Sequence, residues 1–209
     1  MNRGRTVLGG PGRKVILSFG ALGLAGALSG MGTFATFTAT TSASSTLASG
    51  TVVIALGNTG ASTNRLTVAA AGLVPGDTVQ RSFNLSNTGS QDLASVALTT
   101  TASPSSLLDT DTTHGLQMVV DRCSVPWTES GSFPAFTYGC SGSATTIISH
   151  RPVIQSGVTM AGLGALTAGA TDHLRLTLTF PSTAGGSFQG LSSTLTYTFL
   201  ATQRAGTAR

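Results

Sequence analysis

Short segments in which apolar and polar residues alternate constrain the fold of this chain more than any other feature of its sequence. In residues 172–180, DHLRLTLTF, large apolar residues occupy every second position from Leu174 to Phe180. Residues 78–87 and 193–201 repeat this pattern, which is typical of antiparallel strands with one face on a core and one in water. About eight β-prone segments are separated by turns rich in Gly, Pro and Asn. The sequence therefore predicts an all-β fold, an antiparallel, jelly-roll-like β-sandwich of about eight strands.

Two further segments and one charged residue give separate predictions. Ser49–Leu56 and Arg65–Ala70 are both rich in β-prone residues and are predicted as strands. Arg81 falls on the apolar face of the alternating segment at residues 78–87. Because a buried charge is costly unless it is paired, we expect Arg81 to lie near a strand end or at the rim of the sandwich.

The N-terminus has the order of a secretory signal. Four basic residues lie within residues 1–14, an apolar and small-residue run occupies residues 15–31, and further small residues follow. The alternative is an uncleaved membrane anchor, because about 20 apolar residues can span a bilayer. The run is rich in Gly, Ala and Ser, however, and has few large side chains. We expect residues 1–35 to be a cleaved signal peptide, with membrane contact only through this segment before cleavage and export of the remaining chain.

The charge balance changes once the signal is set aside. The chain holds eleven Lys and Arg and seven Asp and Glu, and four of the basic residues lie within residues 1–14. The remaining chain therefore has seven residues of each sign and a net charge near zero. This balance offers no argument for nucleic-acid binding, so no nucleic-acid partner is expected. Because the remaining chain has no lysine, it also excludes chemistry based on that side chain.

Two cysteines, Cys123 and Cys140, lie in the part of the chain expected to be exported. An oxidising compartment favours a disulfide between them. The alternative, half of a metal site, would need His or Cys partners at short spacing, and the sequence has none there. Trp127 and Tyr138 lie between the two cysteines. They predict either a recognition loop or an aromatic cluster that covers the sandwich beside the disulfide.

The residues that could support catalysis are scattered along the sequence. His114, His150 and His173 are far apart, Glu129 is the only glutamate, and no H-E-x-x-H motif is present. A candidate cation or metal site consists of two carboxylates and an imidazole in the segment LLDTDTTH, namely Asp109, Asp111 and His114. The alternative is a solvated loop before a strand. From these residues we expect no catalytic residues, no cofactor and no enzymatic activity.

Four short motifs in a fixed order carry a resemblance to a known family: Leu47–Thr51, Leu73–Asp77, Phe83–Gly89 and Phe199–Gln203. In this order after a signal, the chain resembles the TasA/camelysin (CalY) family of exported biofilm-matrix and cell-surface proteins. The resemblance implies an extracellular jelly roll that polymerises into fibres or decorates the cell surface, with another copy or other matrix proteins as partners. It also implies cleavage by a SipW-type signal peptidase after GTFA, between Ala35 and Thr36.

The segment after this cleavage site is a candidate for assembly. In an extended Thr36–Leu47 strand, one face would carry mostly small side chains, with one large residue near each end: Phe37, Ala39, Thr41, Ala43 and Leu47. Such a strand suits addition to the open sheet edge of another subunit, as the family resemblance implies. The alternative is a loose N-terminal tail. The predicted organisation is thus a signal at 1–35, an extended segment at 36–48, a sandwich domain at 49–203 and a short basic tail at 204–209.

Three functions remain open from the sequence. The first is a secreted structural protein of the cell surface or biofilm matrix that self-assembles by N-terminal strand donation. The second is a camelysin-like secreted metallopeptidase whose site the motif search does not reveal. The third is a monomeric surface adhesin that uses the loop between Cys123 and Cys140.

Overall fold

Strands dominate the computed structural model, which describes residues 38–40, 51–67 and 72–206. Within these residues the strands are β1 (Thr38–Thr40), β2 (Ile54–Leu56), β3 (Thr78–Asn87), β4 (Leu93–Ala102), β5 (Gln117–Cys123), β6 (Thr128–Ser132), β7 (Ala135–Gly139), β8 (Ala144–Pro152), β9 (Gln155–Thr159), β10 (Thr171–Thr179) and β11 (Leu195–Gln203). One short helix, α1 (Leu107–Thr110), and two 3-10 turns, Gly164–Leu166 and Gly186–Phe188, connect them. No helix in this part of the chain is both long and apolar enough to cross a membrane.

The strands form two antiparallel sheets and a separate hairpin. Sheet A has the order β1-β11-β4-β9, sheet B has the order β2-β3-β10-β5-β8, and β6 pairs with β7. Consecutive strands mostly alternate between the sheets, so that β3, β4 and β5 cross the sandwich twice and β8 to β11 cross it three times. This strand connectivity is typical of jelly-roll-like sandwiches. The predicted all-β, antiparallel fold is confirmed.

The core lies between the two sheets. Phe83 of β3 faces Phe199 of β11 across the sandwich, with ring centroids 5.4 Å apart. The alternating pattern at residues 172–180 is realised, because Leu174 and Leu176 of β10 are buried in this core. Further buried members come from both sheets: Leu85, Met118, Val120 and Ile148 from sheet B, and Val96, Leu98 and Ala201 from sheet A.

The structure corrects the prediction of a strand at Arg65–Ala70. Arg65, Leu66 and Thr67 lie in irregular or turn structure, and residues 68–70 are outside the described residues. The backbone N–H of Arg65 donates to the carbonyl of Ser82 (2.8 Å). The neighbouring Asn64 makes only an isolated bridge to β3. Single contacts with the edge of β3 therefore replace the continuous ladder that the β-prone composition predicted.

Arg81 also departs from its predicted place. It lies within β3, directly opposite Leu176 of β10, and is only 3% exposed. Its Nη1 donates to the carbonyl of Gln80 (2.7 Å), and its guanidinium lies 5.8 Å from the ring centroid of Phe136. Burial lowers the pKa of Arg81. A backbone carbonyl and an aromatic face thus accommodate a buried cation that the sequence pattern placed at the rim.

Candidate functional site

The N-terminal strand forms the outer edge of sheet A. β1 runs antiparallel to β11, with Ala39 opposite Ala201 and Thr40 opposite Leu200. On its other side, β11 pairs with β4 along its whole length. Among the described residues, positions 195–199 of β11 have no strand partner on their outer edge. An extended edge of this kind offers unpaired backbone groups to another strand.

Most of the residues predicted for export and assembly lie outside the described part of the chain. Of the assembly candidates, Ala39 alone is described, as the middle residue of β1. The other assembly candidates, Phe37, Thr41, Ala43 and Leu47, lie outside the described residues, as do Ala35 and Thr36 of the predicted cleavage site. The extended segment at 36–48 as a whole stays a prediction.

A disulfide anchors the hairpin to sheet B. Cys123 is the last residue of β5, and Cys140 follows directly after β7. The two are bonded, with their Cα atoms 5.8 Å apart. Both ends of the hairpin are therefore held beside the same strand. Within it, Gly131 adopts a positive φ of 84°, and a Cβ there would approach the carbonyl oxygen of Ala135 to 2.5 Å.

Aromatic and polar contacts hold the hairpin against the outer face of sheet B. The indole Nε1 of Trp127 donates to the carbonyl of His173 on β10 (3.0 Å). The guanidinium of Arg175, also on β10, lies 4.4 Å from the Trp127 ring centroid and pairs with Asp121 (2.7 Å). Tyr138 is only 6% exposed, and its backbone N–H donates to Oε1 of Gln80 (3.1 Å). These contacts agree with the covering role that was one of the two predictions for this loop.

Glu129 is the centre of a second set of contacts under the hairpin. Its carboxylate accepts hydrogen bonds from Nη2 and Nε of Arg65 (2.6 and 3.0 Å) and from the hydroxyl of Tyr138 (2.8 Å). The Arg65 guanidinium also lies 4.5 Å from the ring centroid of Phe136. The hydrogen bonds from Arg65 lower the pKa of the Glu129 carboxyl. Glu129, the only glutamate of the chain, is thus an ionised anchor for the hairpin.

Removal of the disulfide should loosen the hairpin before it unfolds the sandwich. We expect the double variant C123S/C140S to lose no more than about 3 kcal/mol of unfolding free energy, from the loop-closure entropy of its denatured state. Trp127 is the only tryptophan, so its fluorescence reports the docking of the hairpin directly. Urea unfolding followed by this fluorescence and by far-ultraviolet circular dichroism measures both effects. Identical curves for the variant and the parent would contradict the anchoring role.

Asp109 belongs to a helix cap. It is the third residue of α1, where its carboxylate accepts from Ser105 Oγ (2.6 Å), the backbone N–H of Ser106 (2.8 Å) and Ser193 Oγ (2.8 Å). Burial acts to raise the pKa of Asp109, but these hydrogen bonds outweigh it and lower the pKa. With both oxygens engaged and 3% exposure, Asp109 ties α1 to the segment before β11.

The remaining candidate ligands do not gather around a common point. Asp111 Oδ1 accepts from the backbone N–H groups of Thr113 and His114, and its Oδ2 lies 3.5 Å from Nδ1 of His114. His173 Nδ1 shares a hydrogen bond with Oδ1 of Asn84 (2.9 Å). Across residues 38–40, 51–67 and 72–206, no group of three or more His, Cys, Asp or Glu side chains is placed to hold a metal ion. In the described part of the chain, the donor set therefore does not fit a protein-bound metal.

Comparison with known proteins confirms the family resemblance that the four short motifs carry. A family model described as "Camelysin metallo-endopeptidase" matches residues 13–121, whereas no curated protein matches the chain. This description overturns the prediction that the protein is not an enzyme, because the matched family is named as a peptidase. The search for short motifs failed here because it tested only known ligand spacings. The match covers 109 of the 209 residues, and the chain therefore belongs to the camelysin metallo-endopeptidase family.

Proposed function

We propose that this chain is an exported surface or matrix protein that assembles by giving its N-terminal strand to the β11 edge of the next copy. The observation that carries the proposal is the pairing of β1 with β11. Within one molecule, the described N-terminal strand occupies three positions on the edge of a nine-residue strand. The same edge in a second molecule offers the same backbone partners, so exchange of the strand would link the two.

The four edges of the sandwich are not equivalent as acceptors. β8 and β9 form the edges on one side, and both pair with their neighbours through register shifts. Such irregularities disfavour the addition of a further strand. On the other side, β2 and the isolated bridge of Asn64 occupy the edge of β3. The outer edge of β11 is thus the best acceptor, and one donor with one acceptor per copy would give a linear fibre.

Charge and side-chain size favour this association. The chain after residue 35 has seven basic and seven acidic residues, so copies carry little net repulsion. The small side chains of the N-terminal segment cannot build a core, but they leave its backbone free to pair. Electron microscopy of the chain from Thr36, compared with a chain that lacks residues 36–48, tests the proposal.

The family description favours a second candidate function, a metallo-endopeptidase. As a peptidase, the purified chain should hydrolyse casein, and a chelator should abolish the hydrolysis. The variant E129Q should retain it, because Glu129 already binds Arg65 and Tyr138 and is not available as a base. Loss of hydrolysis in E129Q, with the circular dichroism spectrum unchanged, would instead make Glu129 part of the peptidase site.

A further inference from the structure

The two sheets differ in where they carry charge. The four strands of sheet A contain no charged residue. The strands of sheet B contain six Arg and Asp residues: Arg81, Asp121, Arg122, Arg151, Asp172 and Arg175. The hairpin covers part of the outer face of sheet B through Trp127, Tyr138 and Arg175. The outer face of sheet A therefore carries no charged strand residue, whereas the strands of sheet B carry six.

Threonine dominates that outer face. Leu98, Thr100, Phe199 and Ala201 point into the core and are at most 1% exposed. Because side chains alternate along a strand, the residues between them point outward. The pairing register places six of these outward residues opposite each other in three pairs across β4 and β11: Thr101 with Thr196, Thr99 with Thr198, and Ala97 with Leu200. We call these six residues the threonine face. Thr101 and Thr196 are exposed, and the other four are half-buried.

We propose that the threonine face is a lateral interface at which two copies of this chain pack sheet against sheet. Two identical charge-free faces meet without the like-charge repulsion that opposes most self-contacts. Threonine and alanine side chains are small enough for the sheets to approach at the usual spacing of about 10 Å. The threonine face includes β11, the strand with which β1 pairs. Copies joined end to end through β1 would therefore present this face repeatedly on one side of the fibre.

The size of the face predicts a weak contact between single copies. The nine-residue strand β11 spans about 30 Å and four strands span about 19 Å, so two copies bury at most about 1,100 Å² together. Stable complexes usually bury about 1,200 to 2,000 Å². Repetition along a fibre would strengthen such a contact by multivalency. Lateral contact is therefore expected as weak dimerisation of single copies and as bundling of fibres.

The experiment separates lateral contact from strand donation. In the chain from Thr36, A39P blocks the pairing of β1 with β11, and sedimentation velocity then measures the remaining association. The double variant T101K/T198K should weaken that association by about tenfold or more, since like charges would face each other across the interface. The control T128K/T137K places the same two charges on exposed threonines of the hairpin and should leave the association unchanged.

A mixing measurement tests the same interface in the opposite direction, because it predicts a gain in association. Equal amounts of T101K/T198K and T101E/T198E should associate at least as strongly as the parent chain, because the two faces then carry opposite charge. If the mixture associates no more strongly than either variant alone, the lateral interface is overturned. It is also overturned if T101K/T198K alone associates as strongly as the parent chain. The dimerisation of single copies does not depend on the proposed function, whereas the bundling of fibres rests on it. If strand donation fails, fibres are absent from every chain while the sedimentation results remain readable.

Discussion

A chain that begins at Thr36 should form fibres, whereas a chain that begins at Ser49 should form none and should associate at most through the weak lateral contact. The shorter chain lacks β1 but keeps β2 and every other described strand. Without β1, the chain has no strand to donate, although its β11 edge stays open. Light scattering and electron microscopy across a range of concentrations measure the difference, which should be close to all or none.

A substitution at one position provides the matched control for this truncation. A39P should abolish fibres, because proline within a strand removes a backbone donor and disturbs the ladder. A39V should retain them, because valine favours extended structure and keeps the N–H group. Fibres of equal length from the unsubstituted chain, A39P and A39V, all beginning at Thr36, would show that β1 is not the linker. Monomers from the unsubstituted chain would exclude donor-strand assembly and favour the adhesin.

Truncation of Phe83 should be the most damaging single change to stability. Its ring is 2% exposed and meets Phe199 of the opposite sheet. Phe83→Ala would leave a cavity between the sheets and should lower the free energy of unfolding by about 3 to 5 kcal/mol. Urea denaturation at constant pH, followed by far-ultraviolet circular dichroism, gives this value from the shift in midpoint.

Phe133 is the matched control for that measurement. It lies in the hairpin connection between β6 and β7 and is 66% exposed. Because it has few buried contacts to lose, Phe133→Ala should change the free energy of unfolding by less than about 0.5 kcal/mol. Similar effects for the two substitutions would contradict a core that lies between the sheets.

Prediction from sequence succeeded where the local pattern itself reports burial. The bounds predicted for β3, residues 78–87, are those observed, and β10 departs from its predicted bounds by one residue at each end. The alternating segments are two-sided, and the hydrophobic effect requires their apolar side to face a core. β6, β7 and β9 escaped prediction because they are short and mostly exposed, and Gly, Ser and Thr make up much of their length.

The candidate sites were less accessible to such prediction. Arg65 and Glu129 lie 64 positions apart, and no local pattern links them, so their ion pair depends on where the hairpin folds. Asp109 and Asp111 are two positions apart, yet one caps a helix and the other closes a turn. The camelysin family was recognised from four short motifs, but the peptidase in its description was not predicted, because the sequence contains no known metal-ligand motif.

By itself, the sequence determined the class of fold, most strands of the sandwich and the pairing of its two cysteines. The fold class and the strands follow from two-residue periodicity and turn residues, and the disulfide follows from two cysteines in a chain whose N-terminus has the pattern of an export signal. Only the tertiary structure decided which edge of the sandwich holds the N-terminal strand, where the charges lie and what the hairpin covers. Each of these is a matter of pairing between distant strands, whose register depends on the packing of both sheets.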